Sequence, residues 1–75
     1  MGLVVENRVS ELRKNAGISQ ADFAKAIKVS RQTVSSIETG KYSPSLELAF
    51  AIAAFFHKRI EQIFVYDGGE DHETK

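Results

Sequence analysis

Apolar positions along this chain recur in short bursts of helical spacing, each bounded by a residue that starts or stops a helix. Val9, Leu12 and Ala16 share one face of a first helix, predicted over about Asn7 to Ala16, and Gly17 follows where a left-handed backbone can close the last turn. Ser19 is placed to cap the free amides of a second helix that ends near Ile27, with Asp22 three residues on completing a capping box. Ser30 caps a third helix, which turns Val34 and Ile37 inward and stops at Gly40. After Pro44 and Ser45, a fourth helix carries Leu46, Ala49, Ile52, Ala53 and Phe56 as one stripe, widened by Leu48 and Phe55. Ile60, Ile63 and Phe64 then give one or two turns of a fifth.

Two β-prone runs flank the helices: Leu3 to Val5 at the start and Phe64 to Tyr66 at the end, expected to pair as a small two-stranded sheet. The predicted fold is therefore all-α, a five-helix domain over residues 1–66 with that sheet added, followed by a polar tail over 67–75 that is expected to be disordered. Seventy-five residues with 43% apolar content fit one domain with a modest core. A core that small makes help from a partner subunit plausible.

The second and third helices, Ser19 to Lys41, are joined by a turn short enough to make them a helix-turn-helix. Two helices crossing at a sharp angle need a small residue where their backbones come closest, and Ala24 supplies it. Phe23, Ile27, Val29, Val34 and Ile37 fill the wedge, which leaves the outer face of the third helix to carry Arg31, Gln32, Ser35 and Ser36, with Thr33 and Thr39 beside them. Arginine can bind guanine O6 and N7 with two hydrogen bonds and glutamine can do the same at adenine N6 and N7, each pair giving about 1–3 kcal/mol of discrimination. Gln20 and Ser30 stand at helix starts, where free amides and the positive helix end favour a phosphate. On a generic helix Arg31 would be a solvated charge; within this motif double-stranded DNA is the partner to expect.

A formal net charge of zero argues against nucleic acid only until its distribution is read. Met1 to Pro44 holds seven basic residues against four acidic ones, and Ser45 to Lys75 three against six, so a surplus of three positive charges accompanies the helix pair and the same deficit follows it. The chain has no cysteine, which removes disulfides and thiolate metal sites, and His57 and His72 are too few and too far apart for a metal site. No apolar run approaches a membrane span, and Met1 to Val5 is too short for a signal peptide, so a cytoplasmic protein is expected. There is no glycine-rich phosphate loop, no spaced carboxylate pair and no histidine cluster, hence no enzyme, cofactor or metal is expected.

The segments LRKNAGISQADFAKAI and VSRQTVSSIETGKYSPSL, then Ile52 with Ala53 and Ile63 with Phe64, resemble the phage repressor and Cro family of helix-turn-helix proteins, including stand-alone XRE-type bacterial regulators. The resemblance runs from Leu12 to Asp67. It implies phosphate contacts at Gln20, Thr39, Lys41 and Ser43, joined on the residue reading by Ser30 and Thr33, and base contacts at Arg31, Gln32, Ser35 and Ser36. It also implies an ion pair between Arg13 and Glu38 that ties the first helix to the end of the third. Two positions depart from the family pattern. Lys28 stands where the turn usually has glycine, and Phe55, Phe56, His57 and Lys58 replace a common leucine, glycine and valine sequence.

One recognition helix reads only a few base pairs, so proteins with a single such module usually dimerise across two half-sites. Leu3, Val5, Phe55, Phe64, Val65 and Tyr66 are the residues expected at a twofold interface, built from the terminal sheet and the end of the fourth helix. The function expected is that of a transcriptional repressor binding a palindromic operator as a homodimer. The alternative is an antitoxin or other interaction module, whose apolar C-terminal region binds a protein partner and whose DNA binding serves autoregulation.

Overall fold

A computed structural model describes residues 5–66, with the side chains of Val5 and Tyr66 left aside; Leu3 and the polar tail over 67–75 lie outside the described residues. The order of elements is β1 (Val5–Asn7), α1 (Val9–Asn15), α2 (Gln20–Ala26), α3 (Arg31–Glu38), α4 (Leu46–Phe56), α5 (Ile60–Ile63) and β2 (Phe64–Tyr66). Five helices and a two-stranded sheet is the architecture expected. Val9, Phe23, Ala24, Ile27, Val34, Ile37, Ile52, Ala53 and Ile63 form one buried cluster drawn from all five helices. Phe23 meets Phe55 and Phe56 at centroid distances of 5.2 and 5.3 Å, so an aromatic trio fastens α2 to the end of α4.

The strands are antiparallel, with Val5 opposite Tyr66, Glu6 opposite Val65 and Asn7 opposite Phe64. The first strand thus extends two residues beyond the predicted Leu3 to Val5, and α1 begins at Val9 instead of Asn7. Local propensity disfavours Glu6 and Asn7 in a strand, but tertiary bonds override it. The Arg8 amide donates to the Ile63 carbonyl at 2.9 Å, and the Asn7 side chain accepts from the Val9 amide at 3.0 Å. Chain entry into α1 is therefore pinned to the exit from α5.

Helix α1 also turns a different face inward from the one expected. Val9 is buried and Leu12 packs against the core, but Ala16 is exposed and the third inward residue is Arg13. On α4, Leu46 was expected inside and is 70% exposed, as is 58% of Phe50. The buried arc of α4 is Ala49, Ile52 and Ala53; at about 100° per residue Leu46 falls on the same side as Ala53, so its exposure comes from its place in the first turn of the helix.

Four helices end in the same way. Paired reverse hydrogen bonds close them: Ile18 to the Arg13 carbonyl, Val29 to Ala24, Lys41 to Ser36 and Lys58 to Ala53 are the outer bonds, with Gly17, Lys28, Gly40 and His57 supplying the inner ones. Those four inner residues all have positive φ, at 75°, 65°, 82° and 56°. This closure demands a left-handed residue, which glycine adopts without strain and lysine or histidine does not. Lys28 therefore occupies the left-handed turn position expected of it, and His57 occupies a second one.

Candidate nucleic-acid interface

Helix α3 is secured at both ends before any outward side chain is considered. At its start Ser30 Oγ accepts the Thr33 amide at 3.0 Å and lies 2.9 Å from the Thr33 hydroxyl. At its end Gly40 and Lys41 donate back to Ile37 and Ser36, while the Asn7 amide group donates to the Ile37 carbonyl at 2.9 Å. Val34 and Ile37 anchor its inner face at 1% exposure each. Ala24, at 3% exposure, lets α2 lie close against it. Ser19 Oγ caps α2 by accepting from Asp22 at 3.0 Å, the forward half of the expected capping box.

The Arg13–Glu38 pair ties α1 to the C-terminal end of α3. Arg13 Nε and Nη2 donate to the two carboxylate oxygens of Glu38 at 2.7 and 3.3 Å, and Nη1 donates to the Ile18 carbonyl at 2.9 Å. The side chains are 10% and 6% exposed. All three guanidinium nitrogens are thus engaged, and among the described residues no buried side-chain polar atom lacks a partner. Satisfied in this way, a buried charge pair fixes geometry at little risk; half of it alone would be costly.

Outward from this frame, the expected contact residues divide into two groups. Gln32 and Ser36, one helical turn apart, line a shallow groove of about 280 Å³ with Ser30, Thr33 and Tyr42, so hydroxyl and amide groups ring a surface open to solvent. Arg31 is exposed and reaches Gln20 of α2, while Ser35, about one turn further along α3, is half-buried. Thr39, Lys41 and Ser43 are exposed along the chain that leaves α3; the Thr39 hydroxyl donates to the Ser36 carbonyl at 3.2 Å. Gln20 is half-buried, and its side-chain amide is engaged with Glu38 and Arg31.

The helix-turn-helix family model matches residues 9–63. The chain belongs to the XRE/Cro-like helix-turn-helix family. This is a family of DNA-binding transcriptional regulators and not of enzymes. The chain is 48% identical over 66 residues to an uncharacterised HTH-type transcriptional regulator of Methanocaldococcus jannaschii, covering 88% of this chain and 100% of that one. It is 42% identical to another from Archaeoglobus fulgidus, over 88% of this chain and 94% of the relative. With YgzD of Bacillus subtilis, also an uncharacterised HTH-type regulator, it shares 43% identity over 80% of its length and 91% of the relative's.

Within this XRE/Cro-like domain two residues carry structural roles that sequence reading missed. Asn7 was expected to begin a helix, yet it holds the last turn of α3 from a strand 30 positions away. Gln20 was assigned to phosphate alone, yet it bridges two side chains of α3. No local signal pointed to the first role, since Asn7 lies between the charged residues Glu6 and Arg8. For the second, the signal lay in a glutamine beginning one helix while an arginine began the next. No helix of the described residues is long and apolar enough to cross a membrane.

Proposed function

We propose that this chain is a sequence-specific transcriptional repressor acting in the cytoplasm, which binds a palindromic operator as a homodimer with α3 in the major groove. The observation that carries this reading is the polar outer face of α3, with Arg31, Gln32 and Ser36 projecting from a helix fixed at both ends. Arg31 and Gln32 are the bidentate base readers, supported by Ser35 and Ser36. Gln20, Ser30, Thr33, Thr39, Lys41 and Ser43 border the groove contact and set register on the phosphates. Repression follows from occupancy of a promoter that polymerase would otherwise use.

Homodimerisation is the second component of the proposal. Phe55 and Val65 remain 37% and 39% exposed, and Leu46 and Phe50 extend the exposed apolar surface along α4. Leu3, Val5, Phe64 and Tyr66 are the further residues we assign to this interface. Two recognition helices presented one DNA turn apart, about 34–36 Å, would then meet two half-sites. Selection of bound duplexes from a random pool tests the proposal: an enriched inverted repeat supports it, and an unenriched pool rejects it.

A further inference from the structure

Tyr42 follows the glycine that closes α3, yet the chain does not carry it away from that helix. The Ser36 carbonyl accepts from the Lys41 amide at 2.9 Å, the Tyr42 amide at 3.2 Å and the Thr39 hydroxyl at 3.2 Å. These bonds gather the segment back over the last turn of α3 and set Tyr42 beside Ser36. The Tyr42 side chain lines the same groove of about 280 Å³ as Gln32 and Ser36. It is 46% exposed, and it belongs neither to the core cluster nor to the side chains packed against that cluster.

The groove combines two kinds of surface. Ser30, Thr33 and Ser36 bring hydroxyls and Gln32 an amide, while Tyr42 brings the aromatic ring. A phosphate contact would need no ring, since a hydroxyl or an ammonium group serves it. In the major groove of DNA, thymine presents the O4 acceptor and the C5 methyl group, whereas cytosine presents an N4 donor and no methyl. A hydroxyl both donates and accepts, so the Ser36 hydroxyl alone would take either base. An apolar ring beside that hydroxyl breaks the tie, because it gains by covering the methyl and gains nothing from cytosine.

We infer that Tyr42 is a specificity-determining residue: with Ser36 it forms a thymine subsite, the Ser36 hydroxyl donating to O4 and the Tyr42 ring covering the C5 methyl, at a base pair next to the one Gln32 reads. This rests on the proposed function and deepens it, adding to the readers on α3 one from the chain that leaves that helix. The ring and not the phenol makes the contact, so phenylalanine serves in its place.

Deoxyuridine in place of thymine removes the methyl and leaves O4 and base pairing intact. Each thymine of the selected duplex is replaced in turn, and binding is measured for the unaltered chain, Tyr42→Phe and Tyr42→Ala. At one thymine per half-site the replacement is expected to weaken the unaltered chain and Tyr42→Phe by about fourfold, the effect of one buried methyl-sized group, and to leave Tyr42→Ala unchanged. A duplex in which no thymine is sensitive, or a sensitivity that Tyr42→Ala retains, overturns the inference while leaving the proposed function intact. So does Tyr42→Phe binding as weakly as Tyr42→Ala, which would make the phenol the recognised group. Failure of the unaltered chain to select any sequence overturns both.

Discussion

Arg13 and Glu38, 25 residues apart in sequence, meet at 2.7 Å beneath the last turn of the recognition helix. Because the pair also holds Ile18 and Gln20, it joins the start of the helix-turn-helix to its end. Removing one member strands the other. Arg13→Met or Glu38→Leu is expected to cost about 3–5 kcal/mol, and the joint replacement less than either alone. Urea denaturation of the three variants checks this; equal stability of the single variants and the unaltered chain would mean that the pair is not buried in solution.

The left-handed residues give a second expectation. Lys28 has φ 65° and needs no side chain for its hydrogen bonds, so Lys28→Gly relieves a strain of about 1 kcal/mol and is expected to be neutral or stabilising in a thermal melt. Gly40→Ala is the converse. No atom lies within 4 Å of the added Cβ, yet φ is 82°, so a loss of about 1 kcal/mol comes from backbone strain alone. A clear loss of stability in Lys28→Gly would contradict the turn.

Ala24 tests the packing of the two motif helices. It is 3% exposed against α3, and Ala24→Leu is expected to cost about 1–3 kcal/mol by overpacking, or to spread the helices and weaken DNA binding. Retained melting temperature together with retained affinity would show that the helices do not depend on a small residue there.

Much of this was legible in the chain because helix signals are local. The expected N-cap serines Ser19 and Ser30 each accept the amide three residues on at 3.0 Å, Ser45, read only as the start of a new element, does the same at 3.1 Å, and Gly17 and Gly40 close helices where sequence placed them. The boundary at Asn7 was not legible, since its partner is a carbonyl on α3 and no local rule reaches it. Exposure of Leu46 was missed for a related reason: periodicity finds an apolar face but not how far along the helix neighbours cover it. The Gln20 bridge needed the angle between α2 and α3, which only the packed core defines.

Sedimentation equilibrium tests the dimer. The exposed apolar residues of α4 and β2 lead us to expect a dimer at micromolar concentration, and Phe50→Lys or Val65→Lys is expected to weaken it roughly tenfold or more. A monomer under the same conditions would overturn the homodimer and leave that surface for a different protein partner.

Base readout by α3 is tested most directly by the base frequencies of duplexes the unaltered chain selects from a random pool. The predicted result is an inverted repeat whose half-sites are centred about 34–36 Å apart, each with one position that loses its preference in Arg31→Ala. A pool with flat base frequencies at every position would contradict it.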